Sequence, residues 1–68
     1  MNKLKLDGND ISEIKGLDFL ARLYYLDLSC NQIREIKGLD NLSLETLLLW
    51  GNPMPEPIIT KFSKYKGI

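Results

Sequence analysis

The chain has 68 residues, nine basic and nine acidic side chains, no histidine and one cysteine, Cys30. That length suits one small domain, which buries only about 60% of its unfolded surface. Balanced charge lacks the basic field of non-specific nucleic-acid binding, so no nucleic acid is expected as a partner, and a single cysteine leaves no internal disulfide to staple the fold.

The first ten residues, MNKLKLDGND, turn polar before a signal-type apolar core could develop. No apolar run approaches the roughly 20 residues needed to span a bilayer, so no membrane role is expected. A soluble, cytoplasmic protein is the expectation.

In chain order, Leu4-x-Leu6 opens the sequence with period-two alternation, the mark of a short strand with one buried face. Asp7-Gly8-Asn9-Asp10 then reads as a turn. It does not fit a calcium loop, because Ile11 stands where a third oxygen ligand belongs. Over 14–20 the apolar residues sit three apart (Ile14, Leu17, Leu20), which suits a tight 3₁₀-like or short helical return. The whole pattern then recurs 22 residues on: Leu26, Leu28, Asn31, Ile33, Ile36 and the run Lys37-Gly38-Leu39-Asp40 repeat Leu4, Leu6, Asn9, Ile11, Ile14 and 15–18. A third, partial copy follows at an offset of 21, with Leu44, Leu47, Leu49 and Asn52 matching Leu23, Leu26, Leu28 and Asn31. Fixed periods of 20–50 residues mean stacked units, since no unit can enclose its own leucines.

The units divide as 1–22, 23–43 and a partial third at 44–54, followed by a closing segment, 55–68. Pro53, Pro55 and Pro57 remove backbone donors and end the strand pattern. The stretch 57–67 then places Ile58, Ile59, Phe62 and Tyr65 on one helical face, with Lys61, Lys64 and Lys66 toward the helix's negative end. A short helix laid over the last unit as a cap is predicted. At the other end the chain opens almost directly in its first strand, whose edge would expose backbone hydrogen-bonding groups. Two outcomes are expected: this is the C-terminal piece of a longer array, or a second copy or a partner covers the open end.

The pattern Leu23-x-x-Leu26-x-Leu28-x-x-Asn31-x-Ile33-x-x-Ile36-x-Gly38-Leu39-x-x-Leu42 resembles a leucine-rich repeat. It is similar to the short 21–22-residue class found in a regulatory subunit of a protein phosphatase. The resemblance covers residues 1 to about 54. It implies an α/β solenoid: a right-handed coil with a short parallel sheet on its concave face, 3₁₀ or short helical returns on its convex face, and protein binding as the usual activity.

Asn9, Asn31 and Asn52 are expected to form an internal ladder that satisfies backbone groups where each strand turns. Gly16 and Gly38 are expected to permit a turn or close packing. Outward-alternating strand positions form three rows across the concave face: Lys3, Tyr25, Thr46; Lys5, Asp27, Leu48; and Asp7, Ser29, Trp50. The expected partner-binding residues are Lys5, Tyr25, Asp27, Ser29, Leu48 and Trp50, with Tyr25 and Trp50 flanking Leu48 as the hot spot. An equal alternative has Trp50 fold against the cap, near Pro55 or Ile58. Cys30 reads as a buried or half-buried thiol, with no histidine to activate it.

No histidine base, phosphate loop or metal-ligand cluster is present in the sequence, so neither catalysis nor a cofactor is expected. Glu13 and Glu35 repeat on adjacent units and read as surface carboxylates. The expected function is recognition of a protein partner through the concave strand face. The alternative is structural: a self-associating segment that forms a homo-oligomer through its uncapped first unit, or the C-terminal cap of a longer leucine-rich array.

Overall fold

The computed structural model describes residues 2–17, 20–39, 42–55 and 57. Three strands, β1 (Lys3–Lys5), β2 (Tyr25–Asp27) and β3 (Thr46–Leu48), form one parallel sheet in the order β1-β2-β3. The register sets Leu4 beside Leu26 and Leu26 beside Leu47, which reproduces the sequence offsets of 22 and 21. One-residue slips would turn these leucines to the opposite face, so the alternation itself fixes the register.

Pairing runs past the strand ends into the turns. The Leu6 N–H donates to the Asp27 carbonyl at 2.8 Å, and the Leu28 N–H donates to Leu48 at 2.8 Å. Two residues further on, Gly8 donates to Ser29 at 3.0 Å and Cys30 to Trp50 at 2.9 Å. Each unit is therefore bonded to the next by the same groups at the same positions.

The core lies on one side of the sheet, between it and the returning segments. Leu26, Leu28, Ile33 and Leu47 are fully buried, joined by Ile14, Leu17, Leu23, Leu39, Leu42, Leu49 and Met54. Leu4, Leu6 and Ile11, which hold the same positions in the first unit, are only partly buried. Each fully buried leucine contributes about 2 kcal/mol of transfer free energy, so the first unit gains less from the same residues.

The returns contain single turns. Leu20 donates to Leu17, Leu23 to Leu20 and Leu42 to Leu39, each three residues back, as the spacing of three requires. Gly16 and Gly38 sit there at φ of 75° and 74°. Of the predicted cap, 55–68 with its helix over 57–67, only Pro55 and Pro57 are among the described residues, and both are exposed.

A second left-handed column occupies the turn after each strand: Gly8 at φ 70°, Cys30 at 56° and Gly51 at 79°. Cys30 thus holds a conformation that costs a side-chain-bearing residue about 1–2 kcal/mol. The expected burial of its thiol does not occur: Cys30 is exposed, because the left-handed turn carries it out of the core-facing alternation. Gly51 needs its lack of a side chain doubly, since a Cβ there would lie 3.0 Å from the Cys30 Sγ and 3.2 Å from its backbone nitrogen.

The three asparagines follow directly. Asn31 donates through Nδ2 to the carbonyls of Leu28 and Ser29 in its own unit and Leu6 in the preceding one, at 2.9–3.1 Å. Its Oδ1 accepts the Ile11 N–H at 3.1 Å. Asn52 repeats this one unit later, donating to Leu49 and Leu28 and accepting from Ile33. Among the described residues, Asn9 bonds only to Leu6 and Asp7 of its own unit. Buried turns that would otherwise strand polar backbone groups are satisfied this way, and among the described residues no buried side-chain nitrogen or oxygen lacks a partner.

Candidate functional site

Because strand side chains alternate, the positions flanking the buried leucines share the sheet's outer face. Lys3 and Tyr25 meet there: the Lys3 Nζ lies 5.5 Å from the centre of the Tyr25 ring, within cation–π range. Lys5 is exposed, Tyr25, Thr46 and Leu48 are half-buried, and Trp50, in the turn after β3, is 60% exposed.

Asp27 and Ser29, expected to face outward in the same rows, are 6% and 2% exposed. They bind each other: the Asp27 Oδ1 accepts the Ser29 hydroxyl at 2.7 Å and its backbone N–H at 3.1 Å. β2 is the central strand, and a short polar side chain there lies between rows contributed by both neighbours. The same side chains on an edge strand would be open to water. The face therefore presents exposed charge from β1 at one side and apolar surface from β3 at the other, over a tied-down centre.

Tyr24 was missed by sequence reasoning. It is 41% exposed, while its backbone N–H donates to Asn2 and its carbonyl accepts from Glu45 and Thr46. The available signal was its column: Asn2 and Glu45 are the matching polar residues, so an aromatic there has no core duty.

On the returning side, an open hollow of about 520 Å³ is lined by Ser12, Glu13, Gln32, Arg34, Glu35 and Lys37. Lys37 lies 3.4 Å from both Glu13 and Glu35, and Lys15 lies 3.9 Å from Glu13. Hydrogen bonds to Glu13, then to Glu35, hold the Lys37 ammonium above the ordinary lysine pKa. The two carboxylates expected at the surface share one cation, which pairs their charge internally. Among the described residues no group of three or more histidine, cysteine, aspartate or glutamate side chains could hold a metal ion, and no helix is long and apolar enough to cross a membrane.

Residues 22–42, the second unit almost in full, match the family model of the Leucine Rich Repeat. No curated protein and no solved structure matches the chain. This segment is a leucine-rich repeat, and with the three-stranded parallel sheet it fits a leucine-rich-repeat-like fold. Leucine-rich repeats generally mediate protein–protein interaction and are typically non-catalytic.

Proposed function

We propose that this chain is a cytoplasmic protein-recognition module that holds a protein partner on its strand face and carries out no chemistry of its own. The observation that carries the reading is the exposed Trp50 beside half-buried Leu48, apolar surface on a face whose core is already closed beneath it. On the same face Tyr25 stands on β2 and Lys5 on β1, and the bonded pair Asp27–Ser29 stiffens the centre that separates Lys5 from Leu48. In this reading residues 1–68 form one right-handed solenoid of units 1–22, 23–43 and 44–54. Its strand face is concave, and 55–68 close its last unit as a helix. The apolar three-residue spacing of the returns, the parallel register and the amphipathic pattern of 57–67 support that architecture. A lone thiol without an internal partner accords with the cytoplasm.

The test is a double substitution, Leu48→Asp with Trp50→Ser, in the full chain. A partner isolated with the unaltered chain should lose its binding, while the circular dichroism spectrum is kept and the unfolding free energy stays within about 0.5 kcal/mol of the original. Melting of the variant would assign both residues to the core or cap. Undiminished binding by a folded variant would remove the strand face as the site.

A further inference from the structure

The strand face is chemically divided, and the division runs across the strands. On β1 it carries Lys3 and Lys5, both exposed. On β3 and the turn after it, it carries half-buried Leu48 and the largely exposed Trp50. Between the two sides Tyr25 is half-buried, and Asp27 and Ser29 are buried against each other.

The lysines of this face differ from those of the returning side. There Lys37 lies 3.4 Å from both Glu13 and Glu35, and Lys15 lies 3.9 Å from Glu13. Among the described residues, neither Lys3 nor Lys5 has a carboxylate within ion-pair distance. The Tyr25 ring, 5.5 Å from the Lys3 Nζ, holds that ammonium toward the central strand without neutralising it. Asp27, beside Lys5 in the register, turns its Oδ1 to Ser29. Open positive charge therefore stands at one side of the face and apolar surface at the other, with exposed Asp7 bounding the charge at the turn.

The size of the face decides what can cover both sides at once. β1 and β3 are two strand spacings apart, or about 10 Å. Each strand has three residues and is again about 10 Å long, close to the width of an α-helix. A helix laid across the strands brings residues seven apart onto one side, about 10.5 Å from each other. An extended segment fits less well, because its same-side residues lie about 7 or 13 Å apart. Lying on a sheet face rather than beside a strand, it would also gain no ladder for its backbone groups, whereas a helix satisfies its own.

We propose that the partner of this face is an amphipathic acidic helix of another protein, lying across the strands. It sets aspartate or glutamate side chains over Lys3 and Lys5. Two turns along the same side, it sets large apolar side chains over Leu48 and Trp50. The proposal rests on the strand face being the binding surface and adds what that surface selects. Contact with Trp50 supplies most of the affinity. The lysines supply orientation and discrimination, since a basic helix would meet unpaired like charge.

The probe is a synthetic alanine-rich helix of about 18 residues, with Glu at i and i+3 and Leu and Phe at i+7 and i+10. Binding is followed by anisotropy of a dye on the peptide and by the emission of Trp50, the chain's single tryptophan. The peptide should bind saturably and shift that emission to the blue. Lys3→Glu with Lys5→Glu should weaken it about tenfold or more, and a peptide with lysines in place of its glutamates should regain the loss. Added salt should weaken binding to the unaltered chain. A central proline in the peptide should cost about tenfold as well.

No saturable binding, binding indifferent to salt and to lysine reversal, or equal binding by the proline peptide overturns the proposal. Should the lysine-reversed chain fail to fold by circular dichroism, the salt dependence of the unaltered chain decides. Leu48→Asp with Trp50→Ser separates the two readings. Binding that survives it removes the strand face itself, whereas binding that it abolishes but charge does not affect removes only the acidic helix.

Discussion

The first and second units share about half of their residues and little of their environment. Leu26, Leu28 and Ile33 have a unit on either side and are fully buried, whereas Leu4, Leu6 and Ile11 have one on a single side and remain partly open. Asn31 makes four bonds spanning two units, and Asn9 makes two within its own. The difference teaches that, in a stack, a residue's energy is set by its neighbours along the axis as much as by its identity.

The sharpest way to test that comparison is to delete the same amide twice. Asn31→Ala takes the acceptor from the Ile11 N–H and one of two donors from the carbonyls of Leu6, Leu28 and Ser29, at a site 1% exposed, and should cost about 2 kcal/mol. Asn9→Ala, at an exposed site with water as substitute, should cost under about 0.5 kcal/mol in the same urea melts. Equal losses would break the comparison.

A smaller effect separates the turn glycines. Gly51→Ala meets both the left-handed backbone and the Cys30 atoms, and should destabilise by about 2 kcal/mol. Gly8→Ala meets the same backbone preference with nothing within 4 Å, and should cost about 1 kcal/mol. A Gly8 substitution as damaging as that at Gly51 would mean that something packs on the first turn.

The smallest effect is electrostatic. Lys37 reaches Glu13 of the preceding unit as well as its own Glu35, and its pKa is raised chiefly by Glu13. A base with a raised pKa adds stability that is complete below the ordinary lysine pKa and is lost as pH climbs through the raised one. Glu13→Gln should therefore move the Lys37 titration midpoint, followed by NMR, back toward the ordinary value. Stability near neutral pH should barely change, as befits exposed ion pairs. An unmoved midpoint would show that the two units do not touch there.

Most of the framework was legible because it depends on periodicity. Leu4, Leu26 and Leu47 announce their strands, and the asparagines occur where a ladder needs them. The turn column Gly8, Cys30, Gly51 was also readable at the same offsets, and it marks Cys30 as a residue in a glycine's place. The candidate face was less legible. Alternation says which side of a strand Asp27 and Ser29 occupy, but their burial depends on β2 being central and on the two side chains satisfying each other. Met54 in the core was readable like the turn column, at the offsets of Ile11 and Ile33, although the proline before it ends the strand pattern.

The turn pair linking β2 to β3 also gives the molecule an optical handle. Its single tryptophan and single cysteine lie on adjacent turns, joined by the Cys30 N–H and the Trp50 carbonyl, with the thiol exposed and the indole largely so. A thiol-coupled acceptor dye would pair with the native fluorophore at one junction without any substitution. Energy transfer between them would report the third strand leaving the second, in real time and independently of events at the first unit.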